Sequence, residues 1–131
     1  MGADDAGRGP RPFPRSRRLT RGSEIRAALN RGKRSRTPHL DVWVSTSPSL
    51  RSRIGLIVPR YGHRIVDRNR LKRRLREILR IEILPRLISP DTGTDVLVRV
   101  RRNGYEASFV ELRAELLEWW ERRWSRGSSS S

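Results

Sequence analysis

The sequence contains no cysteine and, among its basic residues, almost no lysine. Of its 30 Lys and Arg residues, only Lys33 and Lys72 are lysine. The missing cysteine excludes a disulfide framework and a cysteine-based zinc site, and two histidines are too few for most metal clusters. No apolar run approaches the roughly 20 residues of a membrane-spanning helix, and the first residues lack the apolar segment of a secretory signal. We therefore expect a soluble cytoplasmic protein.

Acidic residues are also scarce. The chain has 14 Asp and Glu residues in a total of 131, which leaves a formal charge of +16. Such a charge attracts polyanions, which means RNA, DNA or an acidic membrane surface. The planar fork of arginine matches phosphate groups and stacks on bases, so the excess of arginine favours a nucleic acid. Composition alone leaves RNA and DNA both open.

The hydrophobic pattern predicts one domain between two irregular ends. Residues 1–17 are rich in Gly, Pro and Arg and predict a disordered basic arm, and residues 125–131 predict a flexible tail. Residues 18–124 should form the domain. Within it the pattern predicts a short helix at 23–31, two strands at 40–45 and 53–59, and a long helix at 64–84 that Pro85 ends or kinks. A third strand at 94–100 and a last helix follow.

The last helix has the clearest start signal. Ser108 and Glu111 have the spacing of a capping box. The residues at helical spacing after it should line its buried face, namely Phe109, Leu112, Leu116 and Trp120. The order of elements predicts an α+β fold, a two-layer α-β sandwich with a small, mostly antiparallel sheet.

Residues 64–80 are the most basic stretch, with eight basic and two acidic residues. At 100° per residue, one side of the predicted helix carries four apolar residues that should pack against the sheet, and we call them the packing stripe: Leu71, Leu75, Ile78 and Leu79. A neighbouring arc holds Asn69, Lys72, Arg73, Arg76 and Arg80, while Arg70 and Arg74 lie on the opposite flank. Like charges on one helix repel, and a bound polyanion would relieve that repulsion. A solvated surface helix is the alternative, but charge of one sign with a single Asn favours a nucleic acid contact.

The segment Val66-Asp67-Arg68-Asn69-Arg70-Leu71-Lys72-Arg73-Arg74-Leu75-Arg76 resembles the RNR signature of the bacterial ribonuclease P protein component. In that family the signature follows an apolar strand with basic residues at its end, as residues 55–60 provide here. The resemblance covers roughly residues 17–124 and implies that the RNR segment lies on a crossover helix. It also implies a non-catalytic subunit of a ribonucleoprotein endonuclease in tRNA processing. By the same resemblance, the RNA subunit would remove the 5′ leader of precursor tRNA with Mg²⁺, and the protein itself would bind no cofactor.

The resemblance also implies two sets of site residues. The residues expected to contact the catalytic RNA are Arg68, Asn69, Arg70, Lys72, Arg73 and Arg76. Contact with the leader, in a cleft between the first helix and the sheet, falls to Ile25, Leu29, Trp43 and Arg60. Ile25 and Leu29 match positions that are often aromatic in the family. The implied partners are ribonuclease P RNA and precursor tRNA, with no membrane and no obligate protein partner.

Trp43 is also singled out by the strand pattern. It alternates with the core valines and shares a face with Asp41 and Ser45. A single-stranded base stacked on such an indole gains about 1–3 kcal/mol. Packing of Trp43 beneath the first helix is the alternative.

Two further functions stay open. A ribosomal-protein-like structural RNA binder would be equally small and basic, and a stand-alone nuclease would use His39 or His63 as an acid or base. Spacing supplies no third catalytic residue for the nuclease. The tryptophans at 119, 120 and 124 are more typical of a core than of a binding site, and Asp91, Asp95 and Glu106 lack the spacing of a metal site.

Overall fold

A computed structural model describes residues 17–48, 51–87 and 93–130, with side chains as far as residue 123. Except for Arg17, the predicted basic arm lies outside these residues, as do Asp91 and the last residue of the predicted tail. The strands are β1 (Arg18–Leu19), β2 (Lys33–Arg36), β3 (Leu40–Thr46), β4 (Arg53–Ile57) and β5 (Thr94–Val100). The helices are α1 (Gly22–Arg31), α2 (Ile65–Ile78), α3 (Leu84–Leu87) and α4 (Phe109–Ser130). A π-helical turn (Leu79–Ile83) joins α2 to α3, and a 3-10 turn (Arg102–Glu106) precedes α4.

The five strands form one mixed sheet in the order β1-β4-β5-β3-β2. β3 runs antiparallel to both β2 and β5, whereas β4 runs parallel to both β5 and β1. The parallel neighbours β4 and β5 are connected through α2, which is therefore a crossover helix as expected. The predicted α+β class is confirmed. Two of the four strand pairings described are parallel, whereas the sequence predicted a mostly antiparallel sheet.

The main core lies between one face of the sheet and the helices α2 and α4. Its sheet side is built by alternate valines of β3 and β5, such as Val42 and Val98, which are fully buried. The predicted packing stripe of α2 is confirmed, since its four members are 0–4% exposed. The capping box is confirmed as well: the backbone N–H of Ser108 donates to Glu111 Oε1 (2.8 Å), and that of Glu111 donates to Ser108 Oγ (3.1 Å).

The buried face of α4 differs from the prediction at two positions. Leu112 and Leu116 are fully buried, but Phe109 is 37% exposed and Trp119, rather than Trp120, is the more deeply buried tryptophan. Phe109 is the first residue of the helix. The helix continues to Ser130, past the predicted end of the domain at residue 124.

Pro85 lies inside a helical segment and does not end it. Proline lacks an N–H and crowds the carbonyl four residues earlier. The turn just before it is π-helical, with the Leu84 N–H bonded to the Leu79 carbonyl. The wider π-helical turn includes the residue four positions before Pro85, whose carbonyl the proline ring would otherwise crowd. The helical segment can therefore continue through Pro85 to Leu87.

The short helix α1 packs on the other face of the sheet. There Leu19, Ala28, Trp43 and Leu97 form a second buried cluster. Gly55 permits this approach, because a Cβ at that position would come within 2.8 Å of both Leu19 and Leu97. Arg53 ties α1 to the sheet, since its guanidinium binds Glu24 and Asp95 at 2.8 Å each. In the described part of the chain, no helix is long and apolar enough to cross a membrane.

Candidate nucleic-acid interface

The basic arc of α2 faces away from the core. Asn69, Arg73 and Arg76 are exposed, and no carboxylate of the described residues lies within ion-pair distance of either arginine. Arg80, assigned to the same arc by helical phase, is only 16% exposed and pairs with Glu77 at 2.7 Å. Four residues of the arc have no acidic partner in the described part of the chain, namely Asn69, Lys72, Arg73 and Arg76, and we call them the α2 arc. It offers phosphate donors together with one amide that can bond a base edge or a sugar hydroxyl.

Lys72 is the half-buried member of the α2 arc. Burial lowers the pKa of its ammonium below the ordinary value, and the positive charges of Arg68 and Arg76 lower the pKa further. Both causes disfavour the charged form. A phosphate beside Lys72 would act in the opposite direction and favour the charged form.

Arg68 and Arg70 occupy different positions from the arc. The Arg68 Nε donates to the Val58 carbonyl at 2.8 Å, and its Nη1 donates to Asn69 Oδ1 at 3.3 Å. Arg68 thereby fastens the start of α2 to the end of β4 and orients Asn69. Arg70 lies on the opposite flank, 60% exposed and 4.0 Å from Asp67 Oδ1. The predicted RNA contacts therefore do not form one continuous surface.

A cavity of about 230 Å³ joins the α2 arc to α1 at the β1 edge of the sheet. Lys72 and Arg76 stand on one side of it and Ile25 on the other, and Leu56 and Leu79 contribute to its apolar lining. Basic groups over an apolar floor suit a nucleotide, because the phosphate meets the charges while the base covers the floor. Here the structure brings together a predicted leader residue and two predicted contacts of the catalytic RNA.

Trp43 lies on the predicted face of β3 but is only 7% exposed. Its ring packs in the cluster beneath α1, with Ile25 and Leu29 partly buried against the same cluster. The guanidinium carbons of Arg34 and Arg99 lie 5.7 Å and 5.0 Å from the centre of its ring. This placement matches the packing alternative, and a base would have to displace one of these arginines to stack on the indole. A leader contact by Trp43 stays a prediction.

Asp41 holds the arginines around Trp43 in place. It is 4% exposed and accepts from Arg34 and Arg36 at 3.3 Å each, and Arg99 lies 3.5 Å away. Burial alone would raise the pKa of Asp41, but hydrogen bonds and charge from Arg34 and Arg36 outweigh burial and lower it. The sequence missed Arg34 because β2 carries no apolar alternation. Arg99 could have been found, since it alternates with the buried valines of β5.

The remaining candidates lie in separate places. Arg60 is in the turn before α2, where its Nε donates to the His63 carbonyl at 3.2 Å, and it does not join the cluster around Trp43. His63 stacks on Tyr105, whereas His39 bonds to Glu115 in a different part of the fold. Among the described residues, no group of three or more His, Asp or Glu side chains could hold a metal ion.

Comparison with known proteins finds similarity over most of the chain. The family model described as Ribonuclease P matches residues 13–123. The ribonuclease P protein component of Desulfovibrio desulfuricans is 36% identical over 111 residues, covering 80% of this chain and 81% of that protein. The protein of the same name from Acidothermus cellulolyticus is 36% identical over 107 residues, covering 79% of this chain and 84% of that protein.

Solved structures agree with this similarity. The ribonuclease P protein of Thermotoga maritima superposes with a TM-score of 0.67 at 28% identity, over 80% of this chain and 96% of that one. The Staphylococcus aureus ribonuclease P protein superposes with a TM-score of 0.66 over 78% of this chain and 90% of that one. At 17% identity the second comparison supports the fold alone.

Proposed function

Because this chain belongs to the ribonuclease P protein family, we propose that it is the RNA-binding subunit of a bacterial ribonuclease P. In this role it binds the catalytic RNA and the 5′ leader of precursor tRNA, and it assists the endonucleolytic removal of the leader. The RNA subunit performs the cleavage and carries the Mg²⁺ ions. The protein contributes binding energy and position, and requires no cofactor or protein partner of its own.

The α2 arc is the observation that carries the proposal. Its cations are held on a rigid helix by a buried stripe, and Arg73 and Arg76 have no acidic neighbour among the described residues to neutralise them. Phosphate contacts of this kind dominate the affinity of proteins for RNA, and each releases condensed counterions. Asn69 adds a group that distinguishes a sugar or base edge from a bare phosphate.

The cavity beside α1 supports a second contact, with the leader. It continues from Lys72 and Arg76 to Ile25, so a single strand leaving the catalytic RNA's active site could run along the β1 edge of the sheet. The aliphatic Ile25 can cover a base but stacks on it weakly. We therefore assign the leader contact to the cavity wall first and then to the partly buried Leu29. Trp43 would contact the leader only where Arg34 or Arg99 gives way to a base.

The experiment combines the purified protein with a bacterial ribonuclease P RNA and a precursor tRNA at low Mg²⁺. The protein should lower the Mg²⁺ concentration needed for leader removal and raise the cleavage rate. Arg73→Gln, which removes one charge from the arc, should bind the RNA more weakly and reduce the salt slope by about 0.7–0.9. Arg122→Gln removes one charge from α4, where Arg122 pairs with Glu118, and is the matched control.

The outcomes separate the competing functions. If the protein binds RNA but changes neither the Mg²⁺ requirement nor the rate, it acts as a structural RNA binder of the ribosomal type. Leader removal by the protein without the RNA subunit would identify a nuclease, and His39→Ala and His63→Ala would then show which histidine is needed. An unchanged salt slope for Arg73→Gln would remove Arg73 from the phosphate contacts.

A further inference from the structure

The flank of α2 opposite the arc carries a second group of basic and aromatic side chains. They line a cavity of about 140 Å³, which we call the flank pocket, and which is formed by His63, Asp67, Arg70, Leu71, Arg74 and Tyr105. The pocket lies along the first three turns of α2. Arg70 is the one lining residue among the RNA contacts that the family resemblance implies, whereas His63, Arg74 and Tyr105 are not among those contacts.

An aromatic pair forms one wall of the flank pocket. The rings of His63 and Tyr105 are parallel within 4°, with their centres 3.9 Å apart. Both residues are held by the main chain around them. The Tyr105 hydroxyl donates to the Pro59 carbonyl at 2.6 Å, and the His63 N–H donates to the Arg60 carbonyl at 2.8 Å. The pair is therefore a preformed platform and loses little freedom when another ring stacks on it.

The turn that presents His63 has an uncommon backbone. Tyr61 and Gly62 have φ values of 50° and 85°, both in the left-handed region. Such a conformation is costly for a tyrosine and is kept only where its surroundings hold it. Here the Tyr61 hydroxyl donates to the Val100 carbonyl at 3.0 Å, and the guanidinium of Arg102 covers its ring at 4.6 Å. The fold thus fixes the direction in which His63 points.

Two arginines form the other wall. Arg70 is 60% exposed and its nearest described carboxylate, on Asp67, is 4.0 Å away. Asp67 also binds Arg64 at 3.3 Å, so its single charge is shared. No described carboxylate lies within ion-pair distance of Arg74, which is exposed. With Arg64 included, three guanidinium groups face one carboxylate, and the pocket keeps a positive excess that suits an anion.

We infer that the flank pocket is a second RNA-binding site, which takes a backbone phosphate on its two arginines and stacks an unpaired base on its ring pair. Its volume admits a phosphate group or the edge of a base, and the ring pair extends the contact beyond the opening. A bidentate guanidinium suits phosphate, and base stacking on aromatic side chains is a common way to hold single-stranded RNA. The inference rests on the proposed function. It adds that the RNA contacts α2 from both flanks.

The test measures binding of the full-length protein to a ribonuclease P RNA transcript at several salt concentrations. Arg74→Gln should weaken binding and reduce the salt slope by about 0.7–0.9, as the loss of one phosphate contact requires. His63→Ala should weaken binding about 5-fold or more through lost stacking. Because His63→Ala also removes a ring contact within the fold, its melting temperature is measured, and His63→Phe, which keeps a flat ring, should restore the affinity.

Two controls make the result specific. Arg122→Gln loses the same charge far from the pocket and should bind as the unsubstituted protein does. Arg73→Gln reports on the α2 arc. If Arg73→Gln weakens binding while Arg74→Gln and His63→Ala do not, the flank pocket is not an RNA site and the proposed function stands. If the unsubstituted protein shows no specific binding to this RNA, the proposed function fails first.

The absence of cysteine allows the contact to be located directly. Glu106→Cys places one thiol on the exposed residue next to Tyr105, to which an iron chelate can be attached. Hydroxyl radicals from it should cut one unpaired segment of the bound RNA, and Arg74→Gln should suppress those cuts. Weak cleavage spread evenly along the RNA would overturn the inference.

Discussion

Glu115 is a buried acid that fastens α4 to the loop before β3. It is 8% exposed, and its Oε1 accepts hydrogen bonds from the Thr37 hydroxyl (2.5 Å) and the His39 N–H (2.6 Å). Its Oε2 lies 2.8 Å from His39 Nδ1. We expect Glu115→Ala to destabilise the protein by about 2–4 kcal/mol, since it leaves the His39 N–H without an acceptor and removes bonds to a charged group. Thr37 loses less, because its hydroxyl hydrogen can then be donated to the Leu40 carbonyl, 3.2 Å away.

Glu115→Gln should cost much less than Glu115→Ala. The amide oxygen can keep both bonds of Oε1, and the amide NH₂ can donate to His39 Nδ1 in the imidazole tautomer that carries its proton on Nε2. The substitution removes only the charge on the acceptor, which should lower the unfolding free energy by about 1 kcal/mol. Thermal unfolding followed by circular dichroism at pH 7 measures both variants. For a chain of this size about 3–5 °C is expected per kcal/mol, so Glu115→Ala should melt roughly 6–20 °C lower.

The matched control is Glu118→Ala, one turn further along α4. Glu118 is 70% exposed and, among the described residues, pairs only with Arg122 at 3.3 Å, so its removal should change the melting temperature little. RNA binding measured well below the melting temperature should not change in any of the three variants, because neither Glu115 nor Glu118 belongs to the α2 arc or to the flank pocket. If Glu115→Ala and Glu115→Gln melt at the same temperature, or if neither differs from Glu118→Ala, the hydrogen bonds of Glu115 do not hold α4 in place.

Three other outcomes are expected. Lys72→Met should raise the unfolding free energy of the free protein by about 0.3–1 kcal/mol, and with it the melting temperature, because it removes a charge that like charges repel. The same variant should bind RNA more weakly. A variant that is both less stable and weaker in RNA binding would contradict the electrostatic account of Lys72. For Asp41, the folded-state pKa lies below the ordinary 3.8, so the stability it contributes is present above that value and is lost as pH falls through the folded-state pKa. The gap in unfolding free energy between Asp41→Asn and the unsubstituted protein, measured in urea, should therefore shrink from pH 7 to pH 3, and a constant gap would argue against it. Trp43→Leu should lower the affinity of the assembled enzyme for precursor tRNA more than for mature tRNA if the indole contacts the leader, and equal losses would leave Trp43 a packing residue.

Local signals explain which elements the sequence could predict. The capping box at Ser108, the packing stripe of α2 and the alternation of β5 each depend on residues a few positions apart, and each is confirmed. The strand β2 was missed because Lys33–Arg36 has no apolar alternation. It is held by pairing with β3 at the sheet edge, where charged side chains are common because they discourage pairing with other chains.

The interface was predictable only in part, for a similar reason. Helical phase places Asn69, Lys72, Arg73 and Arg76 on one side of α2, and all four lie there. It cannot show that Arg68 reaches the Val58 carbonyl, or that Tyr105 from the 3-10 turn stacks on His63. Those contacts join residues that are ten and more positions apart, and they depend on how β4, β5 and α2 are arranged in space.

Different faces of the helix α2 serve the stability of the fold and the proposed binding of RNA. Its stability comes from the buried side, where the packing stripe meets the sheet, and from Arg68, which bonds to the end of β4. The α2 arc and the arginines of the flank pocket contribute nothing comparable to the fold, and their mutual repulsion works against it. A helix that kept this repulsion without a ligand would be less stable than one with alternating charges. The excess of positive charge on both exposed flanks is therefore best explained by an anion that meets both of them, and a folded RNA is large enough to do so.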